Sequence, residues 1–251
     1  WLTVDGGTGA RYDEVDASLQ NGYASVTSFI STTHVEIDST YEALGFAEDV
    51  NRDHWFWQRT GSPSRPDAGF ASLVMPVVLP GVVTNENDTA QIRLGMHSLT
   101  KSDSIDPDHY SIVRLEDGPI VSEDRWDGQS DHIAEGSVPA SVLSDTVRVI
   151  LESPGDPSFP FEPVPYVDHV FFNWVTVSYP RRFEAVRGGL QFELDAERQV
   201  SVDGFASEAI RILNLDAAQK INGVAQANGN AFGVQFETQS QGRFVAIDET
   251  S

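Results

Sequence analysis

The chain has 251 residues, and its 38 acidic and 16 basic side chains give a formal net charge of −22 at pH 7. This charge disfavours nucleic acids and anionic lipid surfaces as partners, because binding to phosphates depends on Lys and Arg. Hydrophobic residues make up 40% of the chain, and a chain of this length buries about three quarters of its unfolded surface. We therefore expect a folded protein of one large domain or two small ones.

Cysteine is absent, which excludes disulfides, thiolate metal sites and cysteine nucleophiles. No stretch approaches the roughly 18 apolar residues of a membrane span, because Pro76 and Pro80 interrupt the longest weakly charged run. The chain begins with Trp1 rather than Met, so we expect a mature or excised segment of an exported bacterial protein, located outside the cell or on its surface.

The predicted elements are mostly short strands. Helical patterns are sparse: a short helix is predicted over Ser39–Val50 and a single turn over Asp216–Ile221. Alternation of apolar and polar residues, which is typical of half-buried strands, occurs in several runs. In chain order these runs are 91–96, 146–151, 175–179, 190–194, 200–202 and 210–212.

Turn dipeptides separate these runs. Asp-Gly and Asn-Gly pairs tolerate the positive φ angles of tight hairpins, and seven such pairs occur, among them Asp127-Gly128, Asp203-Gly204 and Asn228-Gly229. Spaced short strands with such turns indicate an antiparallel sandwich or barrel. We predict an all-β protein: a jelly-roll-like antiparallel β-sandwich over 1–182, followed by a small β-rich module over 183–251. A single fold with a loop near residue 182 is the alternative.

Oxygen ligands occur at alternate positions in Asp49, Asn51 and Asp53, a spacing that suits calcium. An EF-hand is excluded because the sixth position of such a loop would be His54 rather than Gly. Calcium is thus the only cofactor that the sequence suggests. Two other acidic groups lie near 103–108 and 123–131, and every one of these groups could also be a solvated acidic surface.

The densest aromatic cluster contains Trp55 and Trp57, and Trp126 stands beside an Asp-Gly turn. On one strand, Trp55 and Trp57 would share a face. Exposed rings of this kind could stack on sugars, so these three tryptophans are candidate ligand-binding residues. The alternative is that they fill the core of the sandwich.

No residue set indicates catalysis. The sequence lacks Gly-x-Ser-x-Gly, Walker, Gly-x-Gly-x-x-Gly and His-Glu-x-x-His motifs. Asp108-His109 and Asp131-His132 each place a carboxylate beside an imidazole, but neighbouring residues on a strand point to opposite faces. We therefore expect no catalytic residues and no enzymatic activity in this segment.

An ordered set of segments resembles the β-rich region that precedes the catalytic domain in gingipain-type cysteine peptidases, in their divergent branch. The resemblance implies a jelly-roll accessory region of a secreted, multidomain peptidase. It carries no catalytic residue over to this chain, because cysteine is absent. The segments are His34–Tyr41, Asp53–Trp57, Ala90–Met96, Asp106–Tyr110, Trp126–Gly128, Val138–Leu143, Val175–Arg182, Gly189–Phe192 and Val202–Phe205.

Three functions follow as hypotheses. The first is a module that scaffolds, or docks against, an adjacent peptidase domain of the same polypeptide. The second is a carbohydrate-binding module with calcium-stabilised loops, whose partner would be a polysaccharide. The third is an inhibitory pro-segment in which Arg181, Arg182 or Arg198 would mimic a substrate.

Overall fold

A computed structural model describes residues 12–19, 22–42, 53–62, 72–154 and 166–250. The protein is all-β, as predicted, and no helix within these ranges is long and apolar enough to cross a membrane. The strands are β1 (Asp13–Asp16), β2 (Ser25–Val26), β3 (Ser28–Glu36), β4 (Thr40–Tyr41), β5 (Trp55–Phe56), β6 (Gln58–Gly61), β7 (Ser72–Val78), β8 (Thr89–Ser98), β9 (His109–Leu115), β10 (Ile120–Trp126), β11 (Asp131–Pro139), β12 (Thr146–Glu152), β13 (His169–Arg182), β14 (Gly189–Leu194), β15 (Gln199–Phe205), β16 (Ile210–Asn214), β17 (Gln219–Asn222), β18 (Val224–Asn228), β19 (Ala231–Glu237) and β20 (Gly242–Asp248).

The chain divides into two compact units. One unit is Thr32–Pro180, and the other combines the described residues of Trp1–Ser31 with Arg181–Ser251. Strands β1 and β2 pair in parallel with β17 and β15 of the second unit. The sequence analysis placed a boundary at residue 182 and assigned all residues before it to the sandwich.

The strands of Thr32–Pro180 form a jelly-roll sandwich, in agreement with the prediction. Counted inward from its ends, β3 neighbours β13, β7 pairs with β12, β8 with β11, and β9 with β10. Nested pairs of this kind arise when one long hairpin folds over on itself. Pairing of β8 with β13 and of β9 with β12 then gives two sheets, β10-β9-β12-β7 and β11-β8-β13-β3, as in jelly rolls.

Period-two alternation places the core of this unit between its two sheets. The pattern predicted over 91–96 and 146–151 is confirmed, because one set of side chains from each strand is buried. Burial of a large aliphatic side chain contributes about 1.5–3 kcal/mol. The inward residues of these runs are Ile92, Leu94, Met96, Val147, Val149 and Leu151.

The second unit has a phenylalanine-rich core. Its two sheets have the orders β1-β17-β16-β20-β14 and β18-β19-β15-β2. The rings of Phe192 and Phe244 stack with centroids 5.5 Å apart. The buried phenylalanines of this core are Phe29, Phe183, Phe192, Phe205, Phe236 and Phe244.

Both helical predictions fail where the structure describes them. The segment predicted as a helix from Ser39 contains β4, and residues 43–50 lie outside the described residues. The turn predicted over Asp216–Ile221 ends in strand β17, which pairs with β16. Pairing with neighbouring strands thus overrides weak helical patterns in both places.

The glycines of the turn dipeptides have two fates. Gly128 and Gly229 have positive φ angles of 75° and 63°, as predicted; Gly229 lies in a turn and Gly128 in a bend between two strands. Gly204, with a φ of 90°, instead lies inside β15, where the pairing register with β19 shifts between Val202 and Phe205. The predicted turn at this dipeptide is therefore a β-bulge, because the chain continues in the same sheet beyond it.

Candidate functional site

A network of fully buried ionisable groups lies in the jelly-roll unit. His109 Nδ1 is 2.6 Å from Asp168 Oδ1, and His109 Nε2 is 3.0 Å from the Thr100 carbonyl and 3.2 Å from Asp108 Oδ1. The three ionisable side chains have no exposed surface. We call His109, Asp108 and Asp168 the His109 network.

The carboxylates of this network also accept hydrogen bonds from several loops. Asp168 Oδ2 accepts from the Tyr110 amide at 3.0 Å and from the Ser153 hydroxyl at 3.2 Å. The two oxygens of Asp108 accept from the backbone amides of Ser102 at 2.5 Å and of Gly128 at 2.9 Å. The network therefore joins segments that are far apart in the chain.

The electrostatics of the network favour a charged imidazole. Burial alone lowers the pKa of His109, but the hydrogen bond to Asp168 and the negative charges of Asp168 and Asp108 outweigh it, so the pKa is raised. Burial, together with the same two negative charges, also raises the pKa of Tyr166. Both shifts keep a proton within this buried region.

A histidine held by a carboxylate is the arrangement of a general base, but the surroundings of His109 point to a structural role. Both ring nitrogens already face protein oxygens, and the ring is fully buried. A general base must lie within hydrogen-bond reach of a substrate proton. In this conformation a substrate proton could not reach the His109 ring. We therefore interpret the network as a structural link between loops.

The three tryptophans predicted as a ligand platform occupy different environments. Trp126 is 9% exposed and stacks between His109 and His132, with centroid distances of 5.1 and 4.3 Å. Its ring faces are thus already covered by protein. This environment matches the alternative prediction, in which the tryptophan packs inside the sandwich.

Trp55 and Trp57 do not lie on one continuous strand. Strand β5 ends at Phe56, and the Trp57 amide donates to the Phe172 carbonyl at 2.9 Å. The Trp57 ring packs on the ring of Phe172 with centroids 5.1 Å apart, whereas Trp55 is 45% exposed and lies edge-on to Tyr41. Only Trp55 of the three predicted residues presents a largely free ring.

Of the predicted calcium ligands, only Asp53 lies within the described residues; Asp49 and Asn51 lie outside them. Asp53 Oδ1 accepts from the Trp55 amide, and Oδ2 accepts from Asn173 Nδ2, both at 2.9 Å. In the ranges that the structure describes, no group of three or more His, Asp or Glu residues could hold a metal ion. Calcium binding at 49–53 therefore stays a prediction.

A groove that the sequence did not indicate lies on the outer face of the β11-β8-β13-β3 sheet, with a volume of about 230 Å³. In register, Ile133 of β11, Gly95 of β8 and Trp174 of β13 form one row across the sheet. Because Gly95 has no side chain, the Trp174 indole lies over it and occupies the space that a Cβ would need. We call this surface the Trp174 groove.

A β-bulge shapes the second wall of the Trp174 groove. The register between β13 and β8 shifts between Phe172 and Trp174, which leaves Asn173 as the extra residue. Bulges redirect side chains and are frequent beside functional sites. Asn173 Nδ2 donates to Asp53, and its buried Oδ1 has no hydrogen-bond partner among the described residues.

The far end of the groove is polar. His97 Nδ1 lies 2.7 Å from Asp131 Oδ1, and both residues line the groove. The groove thus combines the Trp174 indole, the aliphatic side chain of Ile133 and the carboxylates of Asp53 and Asp131. The one sequence signal for it was Gly95, because a glycine inside a strand pattern often marks a bulge or a close approach.

No protein-family model and no curated protein sequence matches the chain. Among solved structures, dimeric latent PorU from Porphyromonas gingivalis matches 96% of this chain with a TM-score of 0.65 and 9% sequence identity. The chain spans 22% of that PorU chain. At this identity the likeness is one of fold alone.

Two further matches have lower TM-scores. The infectious bursal disease virus VP2 subviral particle matches 88% of this chain and 41% of its own, with a TM-score of 0.33 and 7% identity. The CUB1-EGF-CUB2 domain of human MASP-1/3 matches 76% of this chain and 98% of its own, with a TM-score of 0.20 and 8% identity. Scores this low support no argument about this chain.

Proposed function

We propose that this chain is a non-catalytic β-sandwich module of an exported gingipain-like peptidase, and that it docks against the peptidase domain of the same polypeptide. The observation that carries the proposal is the fold likeness to PorU, a gingipain-like peptidase. Nearly the whole of this chain matches about a fifth of that longer one. The order of short segments in the sequence supports the same assignment.

Two features support the non-catalytic part of the proposal. The chain contains no cysteine, the nucleophile of this class of peptidases. Its buried histidine–carboxylate pair, His109 with Asp168, is committed to protein partners on both ring nitrogens. An accessory role agrees with both features.

The surface that we propose for docking is the outer side of the edge strand β7. Val74 and Val78 are 44% and 61% exposed, Pro76 lies between them on the same face, and Ile150 of β12 is in register with Val74. Contiguous exposed apolar residues often mark interaction surfaces. We call Val74, Pro76 and Val78 the β7 stripe.

The test is binding of this chain to a separately produced, catalytically inactive form of the peptidase domain, measured by calorimetry. We expect Val74→Asp to weaken the binding about tenfold or more, because a carboxylate buried without a partner in an interface costs at least about 1.4 kcal/mol. Val224→Asp is the matched control, because Val224 is 46% exposed and lies on β18 of the other unit. Absence of binding, or equal losses in the two variants, would contradict the proposal.

A further inference from the structure

We propose that the Trp174 groove is a saccharide site that accepts one pyranose unit of a polysaccharide. This function goes beyond docking and uses a different surface. The groove lies on the β11-β8-β13-β3 sheet, whereas the β7 stripe belongs to the opposite sheet of the sandwich. Loss of either activity can therefore be measured without loss of the other.

The apolar wall of the groove suits the C–H face of a sugar ring. Trp174 supplies an indole, whose negatively polarised face attracts polarised C–H groups. Ile133, in the same row of the sheet, is 45% exposed and supplies an aliphatic contact. Gly95 allows the indole to lie directly on the sheet, because any side chain at this position would displace the indole.

The polar end of the groove suits hydroxyl donors. An ionised carboxylate has about four acceptor sites. Asp53 uses two of its sites on Trp55 and Asn173, so it keeps capacity for sugar hydroxyls. The side-chain oxygen of Asn173, which has no hydrogen-bond partner among the described residues, lines the groove as well, and so does the carboxylate of Asp131. Ring hydroxyls could donate to the Asn173 oxygen and to Asp53, whereas an apolar ligand could not.

Charge and volume narrow the ligand to a neutral polyhydroxyl ring. The carboxylates of Asp53 and Asp131 repel anions. The guanidinium of Arg93, which is paired with Glu135 at 3.1 Å, lies 5.9 Å from the centroid of the Trp174 ring, so the indole already has a cationic partner. The groove volume of about 230 Å³ is below the ~300 Å³ at which drug-sized pockets begin, which suits a single ring of a longer glycan.

The test follows the indole N–H signals of the five tryptophans by NMR in protein with ¹⁵N-labelled tryptophan. The probes are four oligosaccharides at millimolar concentration: cellohexaose, xylohexaose, laminarihexaose and chitohexaose. We expect at least one of them to shift the Trp174 signal in a saturable manner. Calorimetry then measures the affinity of each variant for that oligosaccharide. Trp174→Ala should weaken the binding about tenfold or more, and Gly95→Ala should weaken it because its Cβ displaces the indole.

Trp55→Ala is the matched control: Trp55 is 45% exposed and does not line the groove, so its replacement should leave the affinity unchanged. The remaining indole signals report whether each variant keeps its fold. No shift with any of the four probes overturns the proposal. Binding that persists in Trp174→Ala, or that is lost in Trp55→Ala, also overturns it. Arginine methyl ester serves as a cationic ligand, and a larger shift of the Trp174 signal with this compound than with the sugars would likewise overturn the proposal.

Discussion

At the scale of single residues, His109 couples the stability of the fold to pH. Its folded-state pKa is raised by the hydrogen bond and charge of Asp168 and by the charge of Asp108, against the lowering effect of burial. A raised pKa contributes stability that is complete below the unfolded value of about 6.5 and is lost as pH rises through the folded value. We expect the urea midpoint to fall over that window.

The variant His109→Gln tests this coupling. Removing one partner of a buried ion pair costs about 3–5 kcal/mol, because Asp168 and Asp108 would keep buried charge without a cation. The variant should also lose the fall in urea midpoint above pH 6.5. His34→Gln is the control, because the His34 side chain is 50% exposed. Burial lowers the pKa of His169, so the effect of this residue on the stability of the fold has the opposite sign: it favours the folded state at high pH and is lost as pH falls. An unchanged pH profile in His109→Gln would contradict the assignment.

At the scale of elements, the sequence predicted the strands better than their partners. Alternation in 91–96 and 146–151 depends only on local period, so it identified β8 and β12 and their buried faces. The nested pairing of the jelly roll, and the addition of β1 and β2 to distant sheets, depend on contacts between residues far apart in the chain. Local patterns do not encode such contacts.

The candidate sites show the same division. Trp55 and Trp57 would share a face only if the strand were continuous. The strand breaks after Phe56, and the partly buried Trp57 packs against the core through Phe172. The Trp174 groove arises from Gly95 on one strand and an extra residue, Asn173, on its neighbour. The sequence contains both residues, but their juxtaposition depends on the register between two strands that are about eighty residues apart.

The bulge in β15 gives a prediction about one element. Gly204 has a φ of 90°, and a Cβ there would lie 3.0 Å from the Ala185 carbonyl oxygen. Gly204→Ala should therefore lower the free energy of unfolding by about 1–3 kcal/mol. Gly189→Ala is the control, because the nearest atoms to its added Cβ are 3.7 Å away, and it should be neutral or stabilise by up to about 1 kcal/mol. Equal urea midpoints for the two variants would contradict the bulge.

At the scale of the whole molecule, the net charge of −22 destabilises the compact state through self-repulsion. Added salt shortens the screening length from about 30 Å at 0.01 M to about 8 Å at 0.15 M, so NaCl should raise the thermal midpoint. A gain of about 1 kcal/mol in the free energy of unfolding corresponds to a rise of about 2–4 °C in the thermal midpoint for a chain of this size. A midpoint that falls over this range of salt would mean that attractive ion pairs outweigh the repulsion.

Screening can be separated from the predicted calcium site at Asp49, Asn51 and Asp53, because screening follows ionic strength whereas a site saturates. At a hundredfold excess over its Kd, calcium bound only to the folded state stabilises it by about 2.7 kcal/mol. We expect a shift of the thermal midpoint with calcium beyond that given by magnesium at equal ionic strength. Asp49→Ala should remove the excess and Asp103→Ala should keep it. Equal shifts of the thermal midpoint with the two cations would mean that screening of the surface charge explains the whole stabilisation, and would contradict a calcium site at these residues.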